Sequence, residues 1–248
     1  MSTALVLGGS SGIGAAVVRA LRERGDDVVL ADQNLRAATD LVSEPAVGRG
    51  FAIQVDLADP DACPRAVAAA SDVGSGRIDL VFYNAGVLHA APLSEWTVND
   101  WDRSVAVNLR GPFLAAVAAD GALRRSAAGR FVVTSSTGAL RGHAGMPAYH
   151  ATKSGLLGLV RALADEWGPA GVTANAVLPG WITTAFNDTF WNHQTNADAA
   201  ERRLTSSIPL RRQGSPEDVV GTVLFLASSA SAYVTGQSIV VDGGYTAV

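Results

Sequence analysis

The sequence predicts an α/β fold in which helices cover both faces of a doubly wound, parallel sheet of about seven strands. Short apolar segments alternate along the chain with longer amphipathic ones, as strands and helices do in such sheets. The apolar segments lack a strict alternation of polar and apolar residues, which is typical of parallel strands buried on both sides. The 248 residues suit a single domain, expected to span positions 1–248.

The strands are predicted from seven short, mostly apolar segments. A glycine, aspartate, asparagine or serine follows most of them, and such residues favour the turn that leads into the next helix. The predicted strands are Ala4–Leu7, Val28–Ala31, Phe51–Val55, Ile78–Tyr83, Arg130–Thr134, Thr173–Leu178 and Ser238–Val241.

The helices are predicted from the amphipathic segments between those strands. Helix-start signals support two of them, since Pro60 precedes one and Ser215-Pro216-Glu217 opens the last. The predicted helices are Ile13–Arg24, Leu35–Val42, Asp61–Val73, Trp101–Arg125, Ala148–Trp167 and Pro216–Leu226.

One segment departs from this alternation. Residues 183–212 are polar, carry several aromatic side chains and show only weak periodicity. Long irregular segments in compact domains are often lids over a binding site. A substrate lid and a surface excursion with one ordinary helix are both compatible with the pattern.

Composition and charge exclude several classes of protein. With 19 basic and 23 acidic side chains the net charge is −4, which argues against a nucleic-acid binder. The single cysteine, Cys63, excludes an internal disulfide and a multi-cysteine metal site. We find no secretory signal and no apolar stretch long enough to span a bilayer, so a reducing cytoplasm is the expected setting. The four histidines (His89, His143, His150 and His193) show no metal-ligand spacing, and no metal is expected.

A glycine-rich turn follows the first predicted strand and opens the first helix. Unpaired N–H groups at a helix N-terminus attract phosphate, and glycines let the backbone approach it closely. The turn lacks the lysine of an NTPase phosphate loop. The glycine spacing alone is weak evidence, but its place between strand and helix favours a dinucleotide site of the Rossmann type. The predicted contacts are Gly8, Ser10, Ser11, Gly12, Ile13 and Gly14.

Acidic and small residues at successive strand ends extend this prediction. Asp32 ends the second strand, 32 − 14 = 18 residues after the last glycine of the turn, where a carboxylate can bind the adenosine ribose. It would repel the extra phosphate of NADP, so NAD is the expected cofactor. The turns after the third and fourth strands should lie at the same sheet edge. The first could supply an aspartate that accepts a hydrogen bond from the adenine amino group, and the second an Ala-Gly turn that allows close approach to a ribose. These two turns contain Asp56, Leu57, Asn84, Ala85 and Gly86.

The proton chemistry is predicted to lie on the fifth helix. Tyr149 and Lys153 are four residues apart, which places phenol and ammonium on one helical face. A nearby ammonium should lower the pKa of the phenol and make the pair a plausible general acid and base. Lys153 is the only lysine among 19 basic residues, and arginine cannot substitute for a compact ammonium.

Three other polar residues are candidates near this pair. Ser136 follows the fifth strand and lies 149 − 136 = 13 residues before the tyrosine, where its hydroxyl could hold the reacting oxygen; Ser135 fits equally well by spacing. Asn108 lies inside a predicted long helix, where asparagine is mildly unfavourable. It could support a proton path or be a buried amide satisfied by its neighbours.

These residues together resemble the short-chain dehydrogenase/reductase family, over nearly the whole chain. The family's Thr-Gly-x-x-x-Gly-Ile-Gly turn is similar to residues 7–14, with Leu7 in place of threonine, and its Asn-Ala-Gly motif to residues 84–86. The resemblance selects Ser136 over Ser135. It identifies the catalytic set as Asn108, Ser136, Tyr149 and Lys153, and it adds the cofactor contacts Pro179, Gly180, Ile182 and Thr184.

The resemblance implies reversible hydride transfer between NAD(H) and a secondary alcohol or ketone. Tyr149 would exchange the proton, Lys153 would bind the nicotinamide ribose, and Asn108 would support a water-linked relay. Ile182 and Thr184 would meet the nicotinamide carboxamide. The resemblance also implies a homotetramer or homodimer, and a wider tyrosine–lysine spacing in enoyl reductases of this fold.

Two alternative functions remain open: a non-catalytic NAD-sensing regulator, and an NADPH-dependent ketoacyl-type reductase that Asp32 disfavours. The substrate is a small molecule whose identity the sequence does not give. Side chains from three loops are expected to line its pocket. They are Leu88, His89, Ser136, Leu140, His143, Trp181, Phe186, Phe190 and Trp191.

Overall fold

The computed structural model describes residues 2–192 and 196–248 and confirms the predicted α/β fold. Seven parallel strands form one sheet in the order β3-β2-β1-β4-β5-β6-β7. The order reverses between β1 and β4, which is where such sheets bind ligands. The strands are β1 Thr3–Leu7, β2 Asp27–Asp32, β3 Gly50–Gln54, β4 Leu80–Tyr83, β5 Arg130–Thr134, β6 Thr173–Pro179 and β7 Ser238–Val241.

Each predicted strand is present, and the central ones are buried on both faces. Leu7 pairs with Ala31 on one side and with Tyr83 on the other, so the carboxyl ends of β1, β2 and β4 lie side by side. Two apolar cores, one on each face of the sheet, fix the helices against it. The loops that follow these strands therefore meet at one edge.

The helices have the predicted order, with caps that explain where they begin. Ser215 and Asp218 form a reciprocal capping box at the start of the last long helix, and Gly25 ends the first helix in a left-handed conformation. The helices are α1 Gly12–Arg24, α2 Leu35–Ser43, α3 Ala62–Val73, α4 Val98–Val105, α5 Gly111–Arg124, α6 Pro147–Trp167, α7 Asp188–Asn192, α8 Ala197–Ser207 and α9 Pro216–Leu226.

One predicted helix contains a π turn that was not predicted. The segment predicted as a single helix over Trp101–Arg125 consists of α4, a π turn over Ala106–Arg110, and α5. The N–H of Gly111 bonds to the carbonyl oxygen of Ala106, five residues earlier, instead of the oxygen four residues earlier. Such π turns are rare and frequently lie at functional sites. This one contains Asn108.

The segment 183–212 is more regular than predicted. It contains a short 3₁₀ turn, α7 and α8. A parallel bridge joins Ile182, just before the segment, to Gly214, just after it. Its residues 193–195, His193 among them, lie outside the described residues. Within the described ranges, we find no helix that is both long and apolar enough to cross a membrane.

Candidate active site

A cavity of about 710 Å³ opens at the carboxyl ends of the central strands. Its volume lies within the range of small-molecule and cofactor sites. Most of the predicted cofactor contacts and three of the four predicted catalytic residues line it. These lining residues are Gly8, Ser10, Ser11, Gly12, Ile13, Asp32, Asp56, Leu57, Asn84, Ala85, Gly86, Ser136, Tyr149, Lys153, Pro179, Gly180, Ile182 and Thr184.

The glycine-rich turn is shaped by close packing. Gly8 has a φ of +79°, and a Cβ there would lie 2.5 Å from the Cα of Ala85. Gly14 does not line the cavity but lies beneath the turn, where a Cβ would collide with the carbonyl oxygen of Gly8. Only glycine fits these two positions. The turn leads directly into the N-terminus of α1, and these features fit a dinucleotide pyrophosphate.

Asp32 lies in the cavity at the end of β2. Its two carboxylate oxygens accept hydrogen bonds from the main-chain N–H groups of Ser10, at 3.0 Å, and of Asn34, at 2.9 Å. These bonds fix the carboxylate beside the glycine-rich turn. Arg36 does not line the cavity, and its exposed side chain lies 4.0 Å from Asp40 on the same helix.

The Asn84 amide connects three strand ends. Its Nδ2 donates to the carbonyl oxygen of Gly8 at 2.7 Å, and its Oδ1 accepts from the hydroxyl of Thr134 at 2.9 Å. The amide therefore ties the ends of β1, β4 and β5 to one another. Asp56 follows β3, the strand next to β2, is exposed, and accepts from the N–H of Ala58 at 3.0 Å.

Tyr149 and Lys153 both line the cavity from one face of α6, as their spacing predicts. The ammonium of Lys153 lies 5.8 Å from the centroid of the Tyr149 ring and donates to the carbonyl oxygen of Thr134 at 2.7 Å. Burial lowers the pKa of Lys153 to about 8.

The phenol behaves differently from the sequence-based expectation. Burial raises the pKa of Tyr149, and a side-chain hydrogen bond with Ser136 opposes that increase. We predicted that the Lys153 ammonium would lower the pKa of the phenol, but Lys153 is not among the groups that shift it. A protonated phenol is suited to donate a proton.

The structure separates the two candidate serines. The hydroxyl of Ser135 donates to the carbonyl oxygen of Lys153 at 2.8 Å and is buried. The hydroxyl of Ser136 accepts from the N–H of Gly138 at 2.9 Å and bonds to Tyr149. Ser136 is therefore the serine placed beside the phenol, in agreement with the family resemblance.

Asn108 is fully buried in the π turn and does not line the cavity. Its amide makes two bonds to the main chain of Val87: Oδ1 accepts from the N–H at 2.8 Å, and Nδ2 donates to the carbonyl oxygen at 2.9 Å. The same Nδ2 donates to the hydroxyl of Thr152, on α6, at 3.4 Å. Asn108 thus holds the loop after β4 against α6.

Of the residues predicted to contact substrate, Ser136 and Phe186 line the cavity, and the ring of Phe186 lies 6.1 Å from that of Tyr149. The others are not among the residues that line it. His89 packs edge-on against Trp96, and Leu140 is exposed. The rings of four others pack against one another in a cluster: His143, Trp181, Phe190 and Trp191. Leu88 is half-buried and follows Val87, which lines the cavity.

Several lining residues were not predicted. Thr134 contributes its carbonyl oxygen to Lys153 and its hydroxyl to Asn84, and its position at the end of β5 was a signal available in the sequence. Arg103 also lines the cavity, from α4. Nothing in the helical pattern distinguishes it from a surface arginine. Among the residues that the structure describes, no group of three or more His, Cys, Asp or Glu side chains could hold a metal ion.

A doubly wound sheet whose glycine-rich turn shares one cavity with a tyrosine–lysine helix defines a class, the dinucleotide-dependent oxidoreductases. The comparisons with known proteins specify the family. Residues 8–246 match the family model described as "Enoyl-(Acyl carrier protein) reductase". The chain is 36% identical to the D-threitol dehydrogenase of Mycolicibacterium smegmatis, covering 98% of this chain and 92% of the relative. It is 35% identical to a 3-oxoacyl-[acyl-carrier-protein] reductase of Synechocystis, covering 97% and 95%.

Solved structures agree. The short-chain dehydrogenase/reductase from Serratia marcescens matches with a TM-score of 0.88 at 34% identity, covering 99% of this chain and 98% of that one. A blue fluorescent protein from a metagenomic library, solved with NADPH, matches with a TM-score of 0.87 at 38% identity and the same coverage. The chain belongs to the short-chain dehydrogenase/reductase family. It is an oxidoreductase of a family that binds a nicotinamide cofactor.

Proposed function

We propose that this protein is an NAD-dependent short-chain alcohol dehydrogenase or ketone reductase, with Tyr149 as the general acid and base. The observation that carries the proposal is that Tyr149, Ser136 and Lys153 share a cavity with the glycine-rich turn and Asp32. When bound, NADH supplies a hydride to the carbonyl carbon of a ketone, and NAD⁺ accepts one from a secondary alcohol.

The proton step follows from the surroundings of the phenol. Tyr149 is protonated at neutral pH, since the ordinary pKa of a phenol is about 10 and burial raises it further, so it can donate its proton to the carbonyl oxygen as that oxygen gains charge. The Ser136 hydroxyl lies beside the phenol and can hold the same oxygen. In the oxidative direction the Tyr149 phenolate would take the proton from the alcohol, while Ser136 would hold the same oxygen.

Lys153 and Asn108 have supporting roles in this proposal. The Lys153 ammonium, which already donates to Thr134, has further N–H groups to offer to the hydroxyls of the nicotinamide ribose. Asn108 holds Val87, and with it the loop that borders the cavity beside Lys153. The remaining nicotinamide contacts are assigned to Ile182 and Thr184, which line the cavity from the loop after β6.

The preference for NAD is inferred from charge. A phosphate on the adenosine ribose carries about −1.5 to −2 charges at pH 7. At ~4 Å, each unit of like charge near Asp32 would cost up to ~4 kcal/mol with an effective dielectric constant of about 20. Among the described residues that line the cavity, the basic ones are Arg103 and Lys153. They lie on α4 and α6, which follow β4 and β5, whereas Asp32 ends β2. Neither is therefore placed to offset the repulsion between Asp32 and a ribose phosphate.

Relatives favour a second candidate, an NADPH-dependent ketoacyl-type reductase, since one at 35% identity bears the name 3-oxoacyl-[acyl-carrier-protein] reductase. Asp32 argues against its cofactor. A regulator that binds NAD without chemistry would have no use for Tyr149 and Ser136 in contact at the cavity. Enoyl reduction is disfavoured because Tyr149 and Lys153 are only four residues apart.

The segment 183–212 is proposed as a substrate lid, because its first residues, Thr183, Ala185 and Phe186 among them, line the cavity. A homotetramer or homodimer is also proposed. Exposed apolar side chains support it on the outer face of α5, at Phe113 and Val117. The whole chain is proposed as one domain, and a reducing cytoplasm as its setting, since Cys63 is a buried free thiol.

An absorbance screen of NADH formation and consumption tests the proposal. The purified protein is assayed with NAD⁺ and with NADH against a few dozen secondary alcohols and ketones, and each assay is repeated with NADP⁺ or NADPH. We expect turnover of at least one chemical class, with higher kcat/KM for the unphosphorylated dinucleotide. Binding of NADH without turnover of any compound would favour the regulator, and a preference for NADPH would favour the ketoacyl-type reductase.

A further inference from the structure

The carbonyl oxygen of Val107, in the π turn, accepts no hydrogen bond from the main-chain N–H groups that usually bond to it in a helix. The N–H of Gly111, which would bond to it in an α-helix, bonds to Ala106 instead. Residue 112, which would bond to it in the π register, is proline and has no N–H. Buried carbonyl oxygens are rarely left without a donor. A donor from another part of the fold is therefore expected.

Tyr83 supplies that donor. It is the last residue of β4, only 1% exposed, and its hydroxyl donates to the carbonyl oxygen of Val107 at 2.8 Å. Burial raises the pKa of this phenol, which keeps the donated proton in place. The hydroxyl fits because residue 111 is glycine, since a Cβ there would overlap the Tyr83 oxygen.

The contact is connected to the cavity through the next residue of the turn. Asn108 directly follows Val107, and its amide holds both main-chain groups of Val87. Val87 and Gly86 line the cavity, and a Cβ at Gly86 would lie 3.5 Å from the Lys153 ammonium. The orientation of the π turn therefore sets the position of the loop that borders Lys153.

We infer that Tyr83 is a positioning residue for the proposed reaction. Its hydroxyl takes the place of the N–H that Pro112 lacks, keeps the turn in the π register, and so orients Asn108 and the Val87 loop. Tyr83 touches neither the cavity nor the proposed reacting atoms, and it acts through Asn108. The kinetic part of this inference rests on the proposed function.

The substitution Tyr83→Phe tests it, because it removes one oxygen and keeps the buried ring. Without that donor, the N–H of Gly111 can turn to Val107, which converts the turn towards the α register and rotates Asn108. Small misplacements of active-site groups cost up to about 100-fold in rate. We expect kcat to fall by roughly tenfold or more, while the Kd for NADH stays within about twofold.

Ser231→Ala is the matched control. Ser231 is fully buried, and its hydroxyl donates to the carbonyl oxygen of Leu226 at 3.0 Å, but it does not line the cavity. Both variants lose one buried hydroxyl that bonds to the main chain. We expect Ser231→Ala to lower Tm without lowering kcat. An equal loss of kcat in both variants would show that lost stability, and not positioning, explains the effect.

A double-mutant cycle with Asn108→Ala separates positioning from general damage. If Tyr83 acts through Asn108, Tyr83→Phe changes kcat by less than about twofold in the Asn108→Ala background. The same fold loss in both backgrounds, or no loss in either, would overturn the inference.

Hydrogen exchange provides a readout that does not need a substrate. The N–H of Val87 is held by Asn108 at 2.8 Å, so rotation of Asn108 should expose it to exchange. We expect faster exchange over residues 84–90 in Tyr83→Phe than in wild type, and no change there in Ser231→Ala. Unchanged exchange in Tyr83→Phe would refute the positioning role, whereas failure of the absorbance screen alone would refute only the proposed function.

Discussion

Lys153 is held by Thr134: its ammonium donates to the Thr134 carbonyl oxygen at 2.7 Å, across the gap between α6 and the end of β5. This bond keeps the ammonium in the cavity, 5.8 Å from the centroid of the Tyr149 ring. The two groups thus share a helical face without direct contact. Burial is the main influence on the pKa of each side chain. It raises the pKa of Tyr149 and lowers the pKa of Lys153 to about 8.

The first prediction concerns Tyr149→Phe. Removing the phenol hydroxyl removes the proposed proton donor and leaves the ring in place. General acid–base catalysis contributes about 10²- to 10⁴-fold, so we expect kcat to fall by that factor while the Kd for NADH changes less than about twofold. Steady-state kinetics and NADH fluorescence titration measure the two quantities.

Tyr245→Phe is the control for that change. Tyr245 is buried and packs against the Arg141 guanidinium at 4.3 Å, but it does not line the cavity. It should keep wild-type kcat. Near-normal turnover in Tyr149→Phe would exclude this tyrosine as the proton donor.

The second prediction concerns Asp32→Asn. The substitution removes the negative charge and keeps an oxygen acceptor for the N–H of Ser10. Since each unit pair of like charges costs up to ~4 kcal/mol at this range, and ~1.4 kcal/mol is a factor of ten, the ratio of kcat/KM for NADPH to that for NADH should rise at least about tenfold. Asp56→Asn neutralises another carboxylate that lines the cavity and should leave the ratio unchanged. A similar change in both variants would assign the effect to net charge and not to Asp32.

Much of this site could be predicted because it depends on local sequence. The glycine-rich turn, Asp32 and Asn84 each follow directly from the end of a buried strand, and parallel strands bring their carboxyl ends together. The pair formed by Tyr149 and Lys153 depends only on helical periodicity. Residues 8 and 10–13 of the turn line one cavity together with Asp32, Asn84, Tyr149 and Lys153, whereas Gly14 lies beneath the turn.

The parts that could not be predicted depend on tertiary contacts. The π turn that contains Asn108 is held by Tyr83, whose hydroxyl bonds to Val107, 107 − 83 = 24 residues away along the chain, and helical periodicity contains no signal for it. The aromatic side chains of residues 181–191 suggested a substrate wall, but Trp181, Phe190 and Trp191 pack against one another, with ring centroids 4.8–5.3 Å apart. The apolar character of these side chains predicted that they would pack against something, but not that they would pack against one another.

The third prediction concerns Phe186→Ala. Phe186 lines the cavity and lies beside Tyr149, so its loss should weaken binding of the ketone or alcohol more than the chemical step. We expect the KM for the organic substrate to rise by roughly fivefold or more, with kcat nearly unchanged. Phe51→Ala is the control, because Phe51 has a similar exposed fraction, 36% against 38%, and lies on β3 away from the cavity. A rise in the KM for NADH instead would place Phe186 against the cofactor.

The fourth prediction concerns stability and pH. The pKa of Lys153 falls from its ordinary 10.5 to about 8 because the side chain is buried. Below about pH 8 the folded protein holds a buried ammonium at a cost, and above about pH 10.5 the lysine is neutral in both the folded and the unfolded state. Between these values the unfolded chain binds more protons than the folded one. The free energy of unfolding of wild type, measured relative to Lys153→Met, should therefore rise with pH, by an amount on the order of 3 kcal/mol.

Urea denaturation of wild type and Lys153→Met between roughly pH 7 and pH 10 measures this difference. Lys153→Met has no group to titrate at this position, so changes in the other ionisable groups cancel in the comparison. Arg161→Met removes an exposed positive charge from the same helix, and its difference from wild type should not vary with pH because arginine stays protonated. A wild-type advantage that falls with rising pH would mean that the folded state stabilises the ammonium. In that case burial would not be the dominant influence on Lys153.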